Sequence, residues 1–185
     1  MEDTPGFITA YGIQGWWFDT FTPEERALMV SVLEERAPEL LSPGYVPTKD
    51  YDANGVLRST IVSDLDNLTH SPVSKAENSA THAKVLQKKL EILRSHRDIF
   101  GEHLTLMHLG DAYYKGRSDP SMLQLAISTY EESVEFSDQA GKNLPWKGDL
   151  PSHPAAERLA LIYTNAGRGE DALRVLYKMK LEGWR

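Results

Sequence analysis

A helical hairpin pattern, written twice near the C-terminus, constrains this chain more than any other feature. The first copy reads Leu106-x-x-Leu109-Gly110-x-x-Tyr113, then Ala126-x-x-x-Tyr130-x-x-Ser133. The second reads Ala156-x-x-Leu159-Ala160-x-x-Tyr163, then Ala172-x-x-x-Leu176-x-x-Met179. In each copy a small residue stands where two antiparallel helices would cross: Gly110 and Ala126, then Ala160 and Ala172. Leu109, Tyr113, Tyr130, Leu159, Tyr163 and Leu176 are expected to fill the space around the crossings. One hairpin cannot bury both of its faces, so it recruits a neighbour, and stacked hairpins make surfaces that hold partners.

The rest of the chain also reads as helix. In Thr22-Pro23-Glu24-Glu25 the threonine can cap, proline suits the first helical position, and Glu25 completes a capping box. Leu28, Val32 and Leu33 give that helix an apolar face, and Pro38 and Pro43 end it. Residues 38–55 carry three prolines and the turn signal Asp52-Ala53-Asn54-Gly55, so a loop is expected. Leu57, Ile61, Leu65 and Leu68 repeat at helical spacing and predict a short helix. Ser74-Lys75-Ala76-Glu77 predicts a second capping box, opening a helix to about Asp98 that buries Ala83, Leu86, Leu90 and Leu93. Further helices are expected near 103–115, 120–138, 154–166 and 170–182, with Asp119-Pro120 and Pro154 as starts and Gly167-Arg168-Gly169 as a turn. Seven helices and no alternating segment predict an all-α fold.

The hairpin pattern resembles the tetratricopeptide repeat family, which places a large residue, Leu-Gly and Tyr on one helix, then Ala, an aromatic and Ala on the next. In the second copy Ala160 and Ala172 are twelve residues apart with Gly167 at the turn, as in the family. The first copy keeps the residue types but sets Gly110 and Ala126 sixteen apart. Tyr113 and Tyr163 are fifty apart, where the family has 34, because residues 138–153 intervene. The resemblance covers residues 103–182 and leaves 1–70 without a family. It implies helical hairpins stacked as a short α-solenoid over 71–185, with an acidic, aromatic-rich helical segment, 1–70, packed on it.

The resemblance further implies a concave groove lined by the first helix of each hairpin. Its inward positions are Leu104, Met107, Asp111, Tyr114 and Lys115, then Glu157, Leu161, Thr164 and Asn165. They mix an apolar floor with donors and acceptors, as a peptide groove requires; alternatively, the N-terminal helices cover them. Family members that grip a C-terminal carboxylate carry Lys and Asn where this chain has Met107 and Asp111, so that mode is not expected. The implied function is a protein- or peptide-binding adaptor without catalysis.

A second reading comes from Phe7, Tyr11, Trp16, Trp17, Phe18 and Phe21, six aromatics within fifteen residues. They form either an arm that wraps onto helices or an exposed interface for self-association. Trp16 and Trp17 are the candidate contacts, with Trp146 in the polar connection 141–151.

Composition removes several other classes. The 185 residues include no cysteine, which excludes disulfides, thiolate zinc sites and cysteine catalysis. The start, Met1-Glu2-Asp3-Thr4-Pro5, lacks the basic and apolar runs of a signal peptide, and no stretch approaches the ~18 apolar residues of a membrane span. A cytoplasmic protein away from membranes is expected. Twelve acidic residues face four basic ones over 1–70, and fifteen face sixteen over 71–185, so the net charge of −7 sits in the first third. Lys84, Lys88, Lys89, Arg94 and Arg97 would form a basic strip, but Glu91 and Asp98 interrupt it, and nucleic acid is not an expected partner. His103, His108 and Asp111 could begin a metal site, yet no His-Glu-x-x-His pattern completes one. Nucleophile elbow, Walker loop and dinucleotide fingerprint are all missing, so no metal, cofactor or catalytic residue is expected.

Overall fold

Helix dominates the computed structural model, which describes residues 4–47, 50–51, 57–58, 60–145 and 148–185. Among these residues there are ten α-helices: α1 (Gly6–Ala10), α2 (Gln14–Thr20), α3 (Pro23–Arg36), α4 (Thr60–Asn67), α5 (Ser79–His96), α6 (Ile99–Lys115), α7 (Pro120–Glu135), α8 (Ser137–Lys142), α9 (Pro154–Asn165) and α10 (Gly169–Glu182). Two 3-10 turns (Pro38–Leu41 and Ala76–Asn78) and one two-residue antiparallel ladder, β1 (Asp50–Tyr51) on β2 (Leu57–Arg58), accompany them. The all-helical expectation holds. The turn signal at 52–55 and Trp146 lie outside the described residues. Two compact units divide the chain, Met1–Ile92 and Leu93–Arg185, so the division falls further along than the charge step at residue 70.

In the first unit the Thr22 capping box forms as expected. The Thr22 side chain accepts from the Glu25 amide at 3.2 Å, and the Glu25 carboxylate accepts from the Thr22 amide at 2.9 Å. That fixes the start of α3, whose Met29, Val32 and Leu33 are buried while Leu28 is half-buried. The N-terminal aromatics fold into two short helices, α1 and α2, and pack into this core beside Leu65, Leu68 and Val85. Trp16 meets Phe21 edge-on at 5.0 Å between ring centroids. The tyrosine hydroxyls of Tyr11 and Tyr45 both donate to Asp64 Oδ2, at 2.8 and 2.6 Å.

Two local expectations for this unit fail. The helix predicted from Leu57 begins at Thr60, because residues 57–58 pair as a strand. The second capping box does not form either: Lys75 precedes a 3-10 turn without a side-chain cap, and α5 begins at Ser79. Pro72, which accepts from the Lys75 amide and from Asn78 Nδ2, holds this stretch in turns instead. The apolar stripe of α5 is as expected, with Ala83, Leu86, Leu90 and Leu93 buried.

In the second unit the duplicated hairpins are real elements. Helix α6 opens at the Asp98 cap, whose carboxylate accepts from the Gly101 amide, and α7 opens at the Asp119 cap ahead of Pro120. Helix α6 packs on α7, α7 on α9, and α9 on α10. Small residues sit at the crossings. A Cβ built on Gly110 would lie 2.4 Å from the Tyr130 ring, a distance no side chain tolerates, so glycine is what admits the tyrosine. Ala126, Ala160 and Ala172 are buried, as are Tyr113 and Tyr163. Leu176 departs from its expected interior place and is 46% exposed. Helix α10 buries Ala172, Val175 and Met179, and Leu176 lies about 100° round the helix from Val175, off that stripe. The connection expected from 138 begins with α8, which packs against α6, α7 and α10.

Candidate functional site

Helices α6 and α9 touch one another in the second unit, and each keeps one face out of the core. On α6 the core takes Leu106, Leu109, Gly110 and Tyr113, which leaves Met107, Asp111 and Tyr114 half-buried and Lys115 exposed. On α9 the core takes Ala156, Leu159, Ala160 and Tyr163, which leaves Glu157, Leu161, Thr164 and Asn165 exposed. Leu161 is 54% exposed, a large apolar side chain open to water. Leu104 is half-buried too, so the nine residues expected to line a groove are all outside the core, though Thr164 spends its hydroxyl proton on the Ala160 carbonyl of its own helix at 2.8 Å.

A polar cluster connects the two helices. Asp111 Oδ1 accepts from the Tyr130 hydroxyl at 2.6 Å and lies 3.0 Å from Arg158 Nε. The arginine contact is an ion pair at an angle too poor for a hydrogen bond, and the buried Nε makes none. Burial raises the Tyr130 phenol well above its ordinary value, and the Asp111 carboxylate beside it adds to the rise, so Tyr130 remains a donor throughout the physiological range. The Arg158 guanidinium also stands 5.3 Å from the Tyr114 ring centroid. Arg117 covers the same ring at 4.5 Å and donates to the Tyr114 carbonyl at 3.1 Å. Two guanidiniums against one ring hold its orientation and place N–H donors beside it.

Sequence reasoning found Asp111 and Tyr114 but missed Arg117 and Arg158. The first was legible, because Arg117 follows Tyr114 by three residues, in the turn just past the end of α6. The second was not, because Arg158 reaches Asp111 only through the packing of α9 beside α6.

The self-association candidates sit differently. Trp17 is 0% exposed and Phe7 and Phe21 are buried, so most of the aromatic cluster is the core of the first unit and not a surface patch. Trp16 is half-buried against that core, and Phe18 lies at the surface under the Arg26 guanidinium, 5.1 Å away. The basic strip is largely neutralised within the molecule. Lys84 pairs with Glu25, Lys88 with Glu91, Lys89 with Asp66, and Arg94 with Glu102 and Glu132.

The histidine reading changes as well. His103 turns inward and is buried with His153 and Trp184, the three ring centroids lying 4.8 to 5.4 Å apart. His153 Nδ1 accepts the Ala156 amide at 3.2 Å and so caps α9, which places its proton on Nε2. Burial holds both imidazoles down to about 4, and for His153 the neighbouring His103 adds to the effect. His108 is exposed, away from this cluster. Among the described residues no three histidine or acidic side chains converge as a metal site. A cavity of about 190 Å³ opens beside Trp184, lined also by Ser137, Gly141, Leu150 and Glu182, and is smaller than the ~300 Å³ at which ligand pockets begin. No helix among the described residues is long and apolar enough to cross a membrane. No family model, curated protein or solved structure matches the chain.

Proposed function

We propose that residues 93–185 form a protein- or peptide-binding module of tetratricopeptide-like build, without catalysis, whose recognition face is the outer side of α6 and α9. The observation that carries this reading is Tyr114. Its ring is half-buried, has the Arg117 and Arg158 guanidiniums 4.5 and 5.3 Å from its centroid, and stands on the same face as Met107. Tyrosine and arginine dominate binding hot spots because they bring large contact area and directed donors at low conformational cost. Leu161 extends an apolar surface along α9 for the partner to cover. The packing order of the two hairpins, with glycine or alanine at each crossing, supports the repeat-like build. The preferred partner is a segment that pairs apolar side chains with a carboxylate, since the guanidiniums offer donors and Leu161 offers an apolar seat.

The test is affinity capture from a lysate of the native host, with wild type beside Tyr114→Ala/Arg158→Ala. Both residues lie outside the core, so circular dichroism should be unchanged. A protein captured by wild type and lost by the double variant supports the reading. Equal capture by both, or substrate turnover that depends on Asp111 or His108, overturns it.

A further inference from the structure

Helix α10 is apolar on two sides. Its inner stripe, Ala172, Val175 and Met179, is buried. Its outer side carries Leu173, Leu176, Tyr177 and Leu181, which are 69, 46, 63 and 70% exposed. A surface helix ordinarily turns charge to water on that side, and a helix apolar all round is ordinarily covered. The four residues follow helical spacing and make one continuous strip about 12 Å long.

We propose that this strip docks a second copy of the same chain, α10 against α10 antiparallel across a two-fold axis. Charge selects both the partner and the direction. The first turn of α10 carries Glu170 and Asp171, and the last turn carries Lys180. Arg168 and Arg174 already engage Asp171. Glu170 and Lys180 are exposed and belong to no ion pair among the described residues. A parallel pair would set Glu170 beside Glu170 and Lys180 beside Lys180. Glu182 in that last turn is held by Lys178, so an antiparallel pair sets Glu170 of each copy toward Lys180 of the other and opposes the two helix dipoles. The face is therefore complementary to itself, which is the condition for a two-fold interface.

Area sets the strength. The four side chains expose roughly 500 Å² per copy, below the ~800 Å² of a standard stable interface, so the dimer is weak and reversible. This face belongs to α10 and the recognition face to α6 and α9, so either reading can fail without the other.

Sedimentation equilibrium of the full chain tests the proposal across roughly 1 to 200 µM, where interfaces of this size dissociate. Wild type is expected to shift from monomer to dimer over that range, and Leu173→Glu/Leu181→Glu to remain monomeric. Glu170→Lys and Lys180→Glu are each expected to weaken the dimer about tenfold, the scale of two exposed ion pairs, because the two-fold axis repeats the contact. Combining the two exchanges the Glu170 and Lys180 charges and is expected to restore most of the wild-type affinity, which a merely sticky surface would not do. All four positions are exposed, so circular dichroism should confirm an unchanged fold. A monomer at every concentration, a dimer that survives Leu173→Glu/Leu181→Glu, or a charge-reversed pair that fails to recover would each overturn the proposal.

Discussion

Gly110 lies against the Tyr130 ring, and the hydroxyl of that tyrosine donates to Asp111, one position further along the same helix as the glycine. One missing side chain thus sets both the hairpin crossing and a carboxylate of the proposed recognition face. Gly110→Ala would force the ring aside and is expected to cost about 1–3 kcal/mol, read as a lower midpoint in chemical denaturation with an unchanged slope. This contact was legible in the sequence, because a glycine among leucines and tyrosines at helical spacing has few other uses. The His103–His153–Trp184 cluster was not, since its members are far apart in the chain and meet only after α6, α9 and the C-terminus fold. Both histidines are neutral when folded and titrate near 4, against an ordinary 6.5 when unfolded. Between those values the unfolded chain binds more protons. The contribution is complete above pH 6.5 and is lost as the pH falls toward 4, by up to about 3 kcal/mol per histidine. Unfolding free energies at pH 7, 6 and 5 are expected to decline in that order, and His103→Phe to flatten the decline.

Four helices begin at side-chain caps. Thr22, Asp98, Asp119 and His153 all accept from the first turn of the helix that follows, and three of those helices have proline at the first position. The Ser74 box carries a similar motif but lies amid turns anchored on the Pro72 carbonyl, so the local signal lost to its surroundings. Glu25 shows why the Thr22 box succeeded. Its burial would raise its carboxyl, yet hydrogen bonds from Lys84, Thr81 and the Thr22 amide hold it below the ordinary range. The side chain is therefore both a cap and a tie from α3 to α5 within the first unit. Thr22→Ala is expected to cost about 1 kcal/mol and Glu25→Ala about 2–3 kcal/mol, compared by thermal unfolding at pH 7. The exposure of Leu176 belongs at this scale too. Its spacing from Ala172 pointed inward, but the helix turned its Val175–Met179 stripe to α9 and left the leucine outside.

Across the molecule, the second unit was far more legible than the first. Its hairpins declare themselves through small residues at helical positions, whereas the core of the first unit gathers distant segments, with Phe7, Trp17 and Val85 in one cluster. Aromatic composition alone could not tell a core from an exposed arm. The candidate face was legible as positions on two helices, and its electrostatics were not, because Asp111 meets Arg158 only across the packed hairpins. The central claim is that this face holds a partner. The most direct measurement places a photo-crosslinking residue at Leu161 and, separately, at Leu125 on α7, which is also exposed, and irradiates both proteins in the native host. A discrete crosslinked protein at Leu161, and none at Leu125, is the predicted result. Equal crosslinking at the two positions, or none at Leu161, would contradict it.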